Sequence, residues 1–249
     1  MEGVNNSVGI LKKEINEYFY NKVDVFVAFT SNRIIEILKR DKEIEINNLE
    51  QCLLELYDNC YEEVLIQPLY IIKGRDYNLI ENLADKYKDK FKKLTINSNL
   101  FYGEKDEVKS NIEVIVNGLE EYYDSKTLLL AGHGSNSNSN EIYKLIEDIF
   151  KSQYRGGVYI ATLEGEETIE NKIIEMKKNN EKEVVIIPLF LIPGKHFNKD
   201  ISKGDSSWSE ILENNGISVI KVAKSLLEYK EIRQLYIKNI KFSENLQSL

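Results

Sequence analysis

The side chains able to do acid–base or metal chemistry are few. The 249 residues contain two histidines, His133 and His196, and imidazole is the group that titrates near neutral pH and the commonest metal ligand. His133 lies in Gly132-His133-Gly134, directly after the apolar run TLLLA at 127–131. The flanking glycines allow a tight turn and a close ligand approach. Ser135 and the Ser/Asn residues up to Asn140 offer hydroxyl and amide groups and an N-cap for a following helix. The N–H groups at such a helix start favour a carboxylate or phosphate. His196 lies in PGKHF, directly after VVIIPLFLI at 184–192. A plainer alternative is a solvated histidine in each of two surface loops.

An internal repeat ties a third residue to these two. VLIQPLYIIKGRDYN at 64–78 aligns with VVIIPLFLIPGKHFN at 184–198, an offset of 120 residues. Val, Ile, Pro, Leu, Ile, Gly and Asn coincide at 64/184, 66/186, 68/188, 69/189, 72/192, 74/194 and 78/198. Such a pattern marks two units of common descent. The repeat sets Asp76 opposite His196. His133, His196 and Asp76 together would form an open three-ligand site for a divalent first-row metal. Taken alone, Asp76 reads equally as a helix cap. Lys195 beside His196, with Lys73, Arg75, Lys199 and Lys203 nearby, would draw an acidic substrate. Phe197, Tyr77, Tyr70 and Phe190 would line a flat ligand or pack the core.

The elements that must carry these residues alternate. The spacing predicts helices at 10–20, 31–40, 48–60, 77–90, 105–123, 140–152, 166–179, 206–214 and 225–241. It predicts strands at 23–29, 64–69, 93–97, 127–131, 157–162, 183–190 and 217–222. Short apolar runs bounded by charge and glycine suit strands buried on both faces, and alternation with helices implies parallel sheets. Pro68 and Pro188 should end their strands. The fold class is α/β, two similar Rossmann-like halves, with units at 1–124 and 125–249 and a central cleft between them. In open sheets of this kind ligands bind beyond the carboxyl ends of the strands, where both histidines fall. A weaker pair, VDVFVAFTS at 23–31 and GGVYIATLEG at 156–165, extends the repeat. Its projection leaves the first half without a counterpart of 127–134, and we expect the first half to lack its opening strand.

Composition narrows the function. Forty-one acidic against 33 basic residues give a net charge of −8, and without a basic block we expect no nucleic-acid partner. The longest apolar run, 184–192, is half of a membrane span, so no membrane partner is expected. MEGVNNSVG has no cationic start followed by an apolar stretch, which points to the cytoplasm. Cys52 and Cys60 are eight residues apart on one helical face, about 12 Å, too far for a disulfide, and read as reduced core thiols. No Walker loop, GxGxxG, nucleophile elbow or CxxC occurs, so no nucleotide is expected. DISKGDSSWS at 200–209 reads as a lid or as the N-cap region of the next helix. A homo-oligomer is left open.

The GHGS loop, PLFLIPGKHFNKDI with GDSSW, and VAFTSNRII with IQPLYIIKGRDY together resemble the anaerobic cobalt chelatases. These are sirohydrochlorin cobaltochelatases, class II tetrapyrrole chelatases related to ferrochelatase. The resemblance runs from about Ile10 to the C-terminal helix. It implies insertion of Co(II), as substrate metal and without ATP, into sirohydrochlorin or its precorrin precursor in anaerobic cobalamin biosynthesis. It carries the family's paired histidines onto His133 and His196 as catalytic and metal-binding groups. The family's metal-binding carboxylate is a Glu; the matching position is Asp76, one methylene shorter. Gly132, Gly134, Ser135, Lys195 and Phe197 are expected to border the tetrapyrrole. The family begins with a strand and a small-residue loop matching 128–135, and we expect this chain to start after it. Two alternatives remain open: insertion of Fe(II) or Ni(II), and a non-catalytic tetrapyrrole- or metal-binding protein.

Overall fold

The computed structural model describes residues 2–42, 45–71, 73–101, 105–134, 141–192, 201, 207–222 and 224–240, without the side chains of 2–6, 41 and 42. Six strands and nine helices are described. In chain order they are α1 (Glu2–Tyr18), α2 (Asn32–Lys42), α3 (Leu49–Asp58), β1 (Glu63–Ile66), α4 (Arg75–Tyr87), β2 (Lys93–Ile96), α5 (Lys105–Tyr123), β3 (Leu128–Gly134), α6 (Glu141–Gln153), β4 (Val158–Glu164), α7 (Ile169–Lys178), β5 (Glu183–Pro188), α8 (Trp208–Asn214), β6 (Ser218–Lys221) and α9 (Lys230–Asn239). Two compact units emerge, Met1–Leu11 with Leu100–Tyr236, and Lys12–Asn99 with Ile237–Leu249. The first contains β3–β6 and is called the histidine unit below; the second contains β1 and β2 and is called the aspartate unit.

In the histidine unit the four strands are all parallel, in the order β4-β3-β5-β6. Side chains alternate across a strand. Leu129, Ala131, Tyr159, Ala161, Val184 and Ile186 pack with Ile169, Ile173 and Met176 of α7 and with Trp208 and Leu212 of α8. Leu128, Leu130, Ile160, Val185 and Ile187, on the opposite face, are also buried. Burial on both faces is why these strands read as continuous apolar runs rather than alternating ones. Trp208 therefore belongs to the core, and Ser207 caps α8 by accepting from the Glu210 N–H; the lid reading of 200–209 concerns a segment of which 200 and 202–206 lie outside the described residues. β5 ends at Pro188, which has no N–H to extend the ladder. The expected helix at 225–241 is divided: a 3₁₀ turn at Leu226–Glu228, then extended Tyr229, then α9.

The aspartate unit pairs β1 with β2 in parallel, and α3 and α4 pack on them through Leu53, Leu56, Ile80 and Tyr87. The repeat is visible in its backbone. Asn48 and Thr168 cap α3 and α7, Asn59 and Asn179 end them with the same φ of −89°, and Cys60 and Asn180 follow in the left-handed region at 61° and 59°. The Phe29 N–H donates to Asn47 O as the Thr162 N–H donates to Glu167 O. Helix α2 is thus an insertion in the aspartate unit, in the place of a four-residue turn.

One expected strand does not form. Residues 23–29 make a single parallel bridge, Phe29 to Asn48. Their counterpart β4 pairs with one neighbour, β3, and no counterpart of β3 is found among the described residues of the aspartate unit. A segment without its partner strand has nothing to ladder against. The consequence is exposure: Phe26 and Val27 are 43% and 38% exposed, whereas Tyr159 and Ile160 are 3% and 0%.

A second asymmetry lies beside it. Lys172 of α7 is buried and reaches Glu147 of α6 at 3.4 Å, Glu167 at 2.8 Å and Glu175 at 3.5 Å. Its repeat counterpart is Cys52, and there the aspartate unit has a cavity of about 330 Å³ bordered by Phe26, Val27, Ile46, Cys52 and Glu55. Cys52 is buried and Cys60 is exposed, both as free thiols. The core-thiol expectation holds for Cys52 and fails for Cys60, which sits in the turn that ends α3. No described helix is long and apolar enough to cross a membrane.

Candidate functional site

Gly132, His133 and Gly134 are the last three residues of β3, at the carboxyl edge of a strand flanked on both sides. The sequence makes this edge in a definite way. The run of leucines is buried, and the glycines then let the chain pass where side chains cannot. A Cβ on Gly132 would lie 2.5 Å from Cε1 of Tyr143. Gly134 has φ +71°, and a Cβ there would lie 1.8 Å from the Glu164 carbonyl oxygen. At Gly134 approach to backbone and conformation together call for glycine, and at Gly132 any added side chain would displace the Tyr143 ring.

His133 sits half-buried between them. Its Nδ1 is 3.2 Å from Gly134 O. A carbonyl oxygen only accepts, so in this contact Nδ1 is the donor. A metal-binding imidazole needs a division of roles, with one nitrogen tied to the protein and the other to the ion. Phe190, which follows β5, meets the imidazole edge-on, with ring centroids 6.4 Å apart and planes at 87°. The Gly134 N–H donates to the hydroxyl of buried Tyr143, at 3.3 Å. Sequence reasoning passed over Tyr143, because its spacing with Ile146 and Phe150 reads as a core stripe; the glycine opposite it was the available signal.

Asp76 lies in the first turn of α4, half-buried. The helix starts two residues earlier than a cap at Asp76 would require. Its N-cap is Gly74, and no side chain caps it. The capping alternative for Asp76 is therefore excluded, although a carboxylate in a first turn still suits the helix dipole. Burial raises the pKa of Tyr70; its hydrogen bond with Thr30 opposes this, and the nearby Asp76 carboxylate adds to the rise. Tyr70 joins the end of the 23–29 segment to the chain leaving β1. Tyr77 is buried and Phe190 half-buried against the core, so the aromatic pairs divide between packing and the site. Lys73 is committed to Glu81 at 2.6 Å and stands over the Tyr77 ring, which removes it from the expected basic cluster.

His196, Lys195, Phe197 and Ser135 lie outside the described residues. Among the described residues, no three His, Cys, Asp or Glu side chains come close enough to hold a metal ion. The structure thus brings together Gly132, His133 and Gly134 at one strand end, and places Asp76 at the corresponding edge of the aspartate unit.

Comparison with known proteins adds to this geometry. Residues 2–245 match a family model described as cobalt chelatase, CbiK. The chain is 25% identical over 224 residues to the sirohydrochlorin cobaltochelatase of Salmonella typhimurium, covering 90% of this chain and 84% of that protein. It is 24% identical over 221 residues to the sirohydrochlorin cobaltochelatase CbiKC of Nitratidesulfovibrio vulgaris, covering 88% and 78%. Among solved structures, SirB from Bacillus subtilis with Fe3+ superposes with a TM-score of 0.60 at 12% identity, covering 94% of this chain and 88% of that one. The sirohydrochlorin chelatase SirB from Bacillus subtilis subspecies spizizenii in complex with cobalt gives 0.60 at 11% identity, covering 96% and 88%. At that identity the likeness is one of fold.

Proposed function

The chain belongs to the cobalt chelatase (CbiK) family, and from that premise we propose that it inserts Co(II) into sirohydrochlorin or a close precursor, without a nucleotide, on the anaerobic route to cobalamin. The observation that carries the reading is His133: an imidazole at a carboxyl strand end, with Nδ1 tied to Gly134 O, the backbone anchor that a metal-binding histidine commonly has on its other ring nitrogen. The homologues named sirohydrochlorin cobaltochelatase supply the substrate class.

The chemistry is a balanced exchange. A divalent metal entering the macrocycle displaces two pyrrole protons, and the ring nitrogens then bind the metal. The protein's task is to deliver the ion and remove the protons. A neutral imidazole accepts a proton near neutral pH, and the incoming charge of the metal favours deprotonation of the pyrroles. In this reading His133 and His196 hold the ion and accept protons, and Asp76 is the third ligand. Gly132, Gly134, Ser135, Lys195 and Phe197 border the macrocycle, with Lys195 meeting its peripheral carboxylates. The duplicated units would be 1–124 and 125–249, a division by ancestry rather than by compactness.

The test is turnover of sirohydrochlorin with Co(II), Fe(II) or Ni(II) in nucleotide-free buffer, followed by the visible spectrum of the macrocycle. The reading predicts insertion of Co(II) without ATP. Insertion of Fe(II) or Ni(II) in preference to Co(II) would change the metal. Binding of the macrocycle with no insertion of any metal would refute the enzyme.

A further inference from the structure

We propose that Tyr143 of α6 is a positioning residue for His133, clamping the backbone on both sides of the imidazole and so setting where Nε2 points. Three observations converge. Tyr143 is 2% exposed although it carries a hydroxyl. Its hydroxyl accepts the Gly134 N–H at 3.3 Å, on the C-terminal side of His133. Its ring occupies the space that a Cβ on Gly132 would need, on the N-terminal side. The residue that orients the imidazole through Nδ1 is Gly134, by its carbonyl oxygen. Tyr143 therefore holds the peptide unit whose neighbouring oxygen holds the ring.

The arrangement has a physical logic. A strand end that leaves its ladder has unpaired N–H groups, and a buried one needs a partner. Here a side chain from the following helix supplies the partner, so the turn is fixed by the same helix that packs on the strand. A metal ligand supported this way loses less freedom on binding, and outer partners of metal-binding histidines are worth about 10- to 100-fold in metal affinity. A tyrosine retained only for packing would do equally well as phenylalanine.

The inference rests on the reading of His133 as a metal-binding imidazole, and the experiment separates the two. Tyr143→Phe keeps the ring against Gly132 and removes the hydroxyl. Co(II) alone is titrated into wild type, Tyr143→Phe and His133→Ala, with the d–d spectrum as readout; kcat and KM for sirohydrochlorin and the thermal midpoint are measured in parallel. We expect Tyr143→Phe to bind Co(II) about tenfold more weakly, with a lower kcat, an unchanged KM and an unchanged midpoint. Wild-type Co(II) affinity and kcat in Tyr143→Phe would overturn the positioning role and leave the reading intact. A fall in affinity that tracks a fall in the midpoint would reduce Tyr143 to a packing residue. Equal Co(II) binding by wild type and His133→Ala would remove His133 from the metal site, and the positioning role with it.

Discussion

Gly134→Ala isolates the backbone on which the site depends. The alanine inherits φ +71°, which costs an L residue about 1–2 kcal/mol. Its Cβ would lie 1.8 Å from Glu164 O, a separation no pair of heavy atoms tolerates without a bond. The end of β3 must then part from β4 at the Gly134–Glu164 pair, at a further cost of about 1–2 kcal/mol for backbone hydrogen bonding. The sum is about 2–4 kcal/mol. With a urea slope of about 3 kcal/mol/M the midpoint falls by about 1 M. Gly216→Ala is the control: φ there is +79°, with nothing within 4 Å of the added methyl, so only the conformational cost of about 1 kcal/mol remains. Urea unfolding followed by circular dichroism compares the two, and the insertion assay runs alongside. Equal midpoint shifts for both variants would refute the steric argument, and full activity in Gly134→Ala would refute the turn's control of His133.

Three further outcomes follow from the packing. Lys172→Met leaves Glu147 buried without its closest interior partner and should cost about 3 kcal/mol, the low end for a buried pair because Lys151 still reaches Glu147 at 2.7 Å; adding Glu147→Leu should recover most of it, and urea midpoints decide. Burial pushes the Tyr154 phenol up to about 12, so its contribution is complete below pH 10 and is lost as pH rises through 12, at most about 3 kcal/mol; Lys172, held above its ordinary value by Glu167, Glu147 and Glu175 against the opposing effect of burial, loses its charge in the same direction, so these groups leave the midpoints at pH 8 and 9 alike and lower the midpoint at pH 11. Cys60 should react with a thiol reagent at once and Cys52 only after unfolding, and equal rates would contradict the burial of Cys52.

Much of this was legible because single physical constraints dominated. A strand buried on both faces must be apolar throughout, so β3, β4 and β5 stand out in the sequence as unbroken runs. The Gly-His-Gly turn was legible for a related reason, since the flanking glycines mark close approach, here to Tyr143 and to Glu164. The repeat was legible through Pro, Gly and aromatic positions, which turns and cores hold fixed. The 23–29 segment has strand composition and no strand, because a strand is a property of a pair and composition describes one member. Asp76 reads as a cap from its type alone; only the start of α4 at Arg75 excludes that. The role of Cys60 depended on a left-handed backbone angle of 61°, which its residue type does not announce. Tyr143 was hidden because core spacing and site support use the same helical periodicity.

The central claim is that the two imidazoles carry metal insertion in a CbiK-family protein. The direct measurement is the rate of Co(II) insertion into sirohydrochlorin by wild type, His133→Ala and His196→Ala, with binding of the macrocycle alone measured on the same samples. The account predicts that wild type inserts Co(II) without a nucleotide and that each variant still binds the macrocycle but loses insertion. Undiminished insertion by either variant would contradict it.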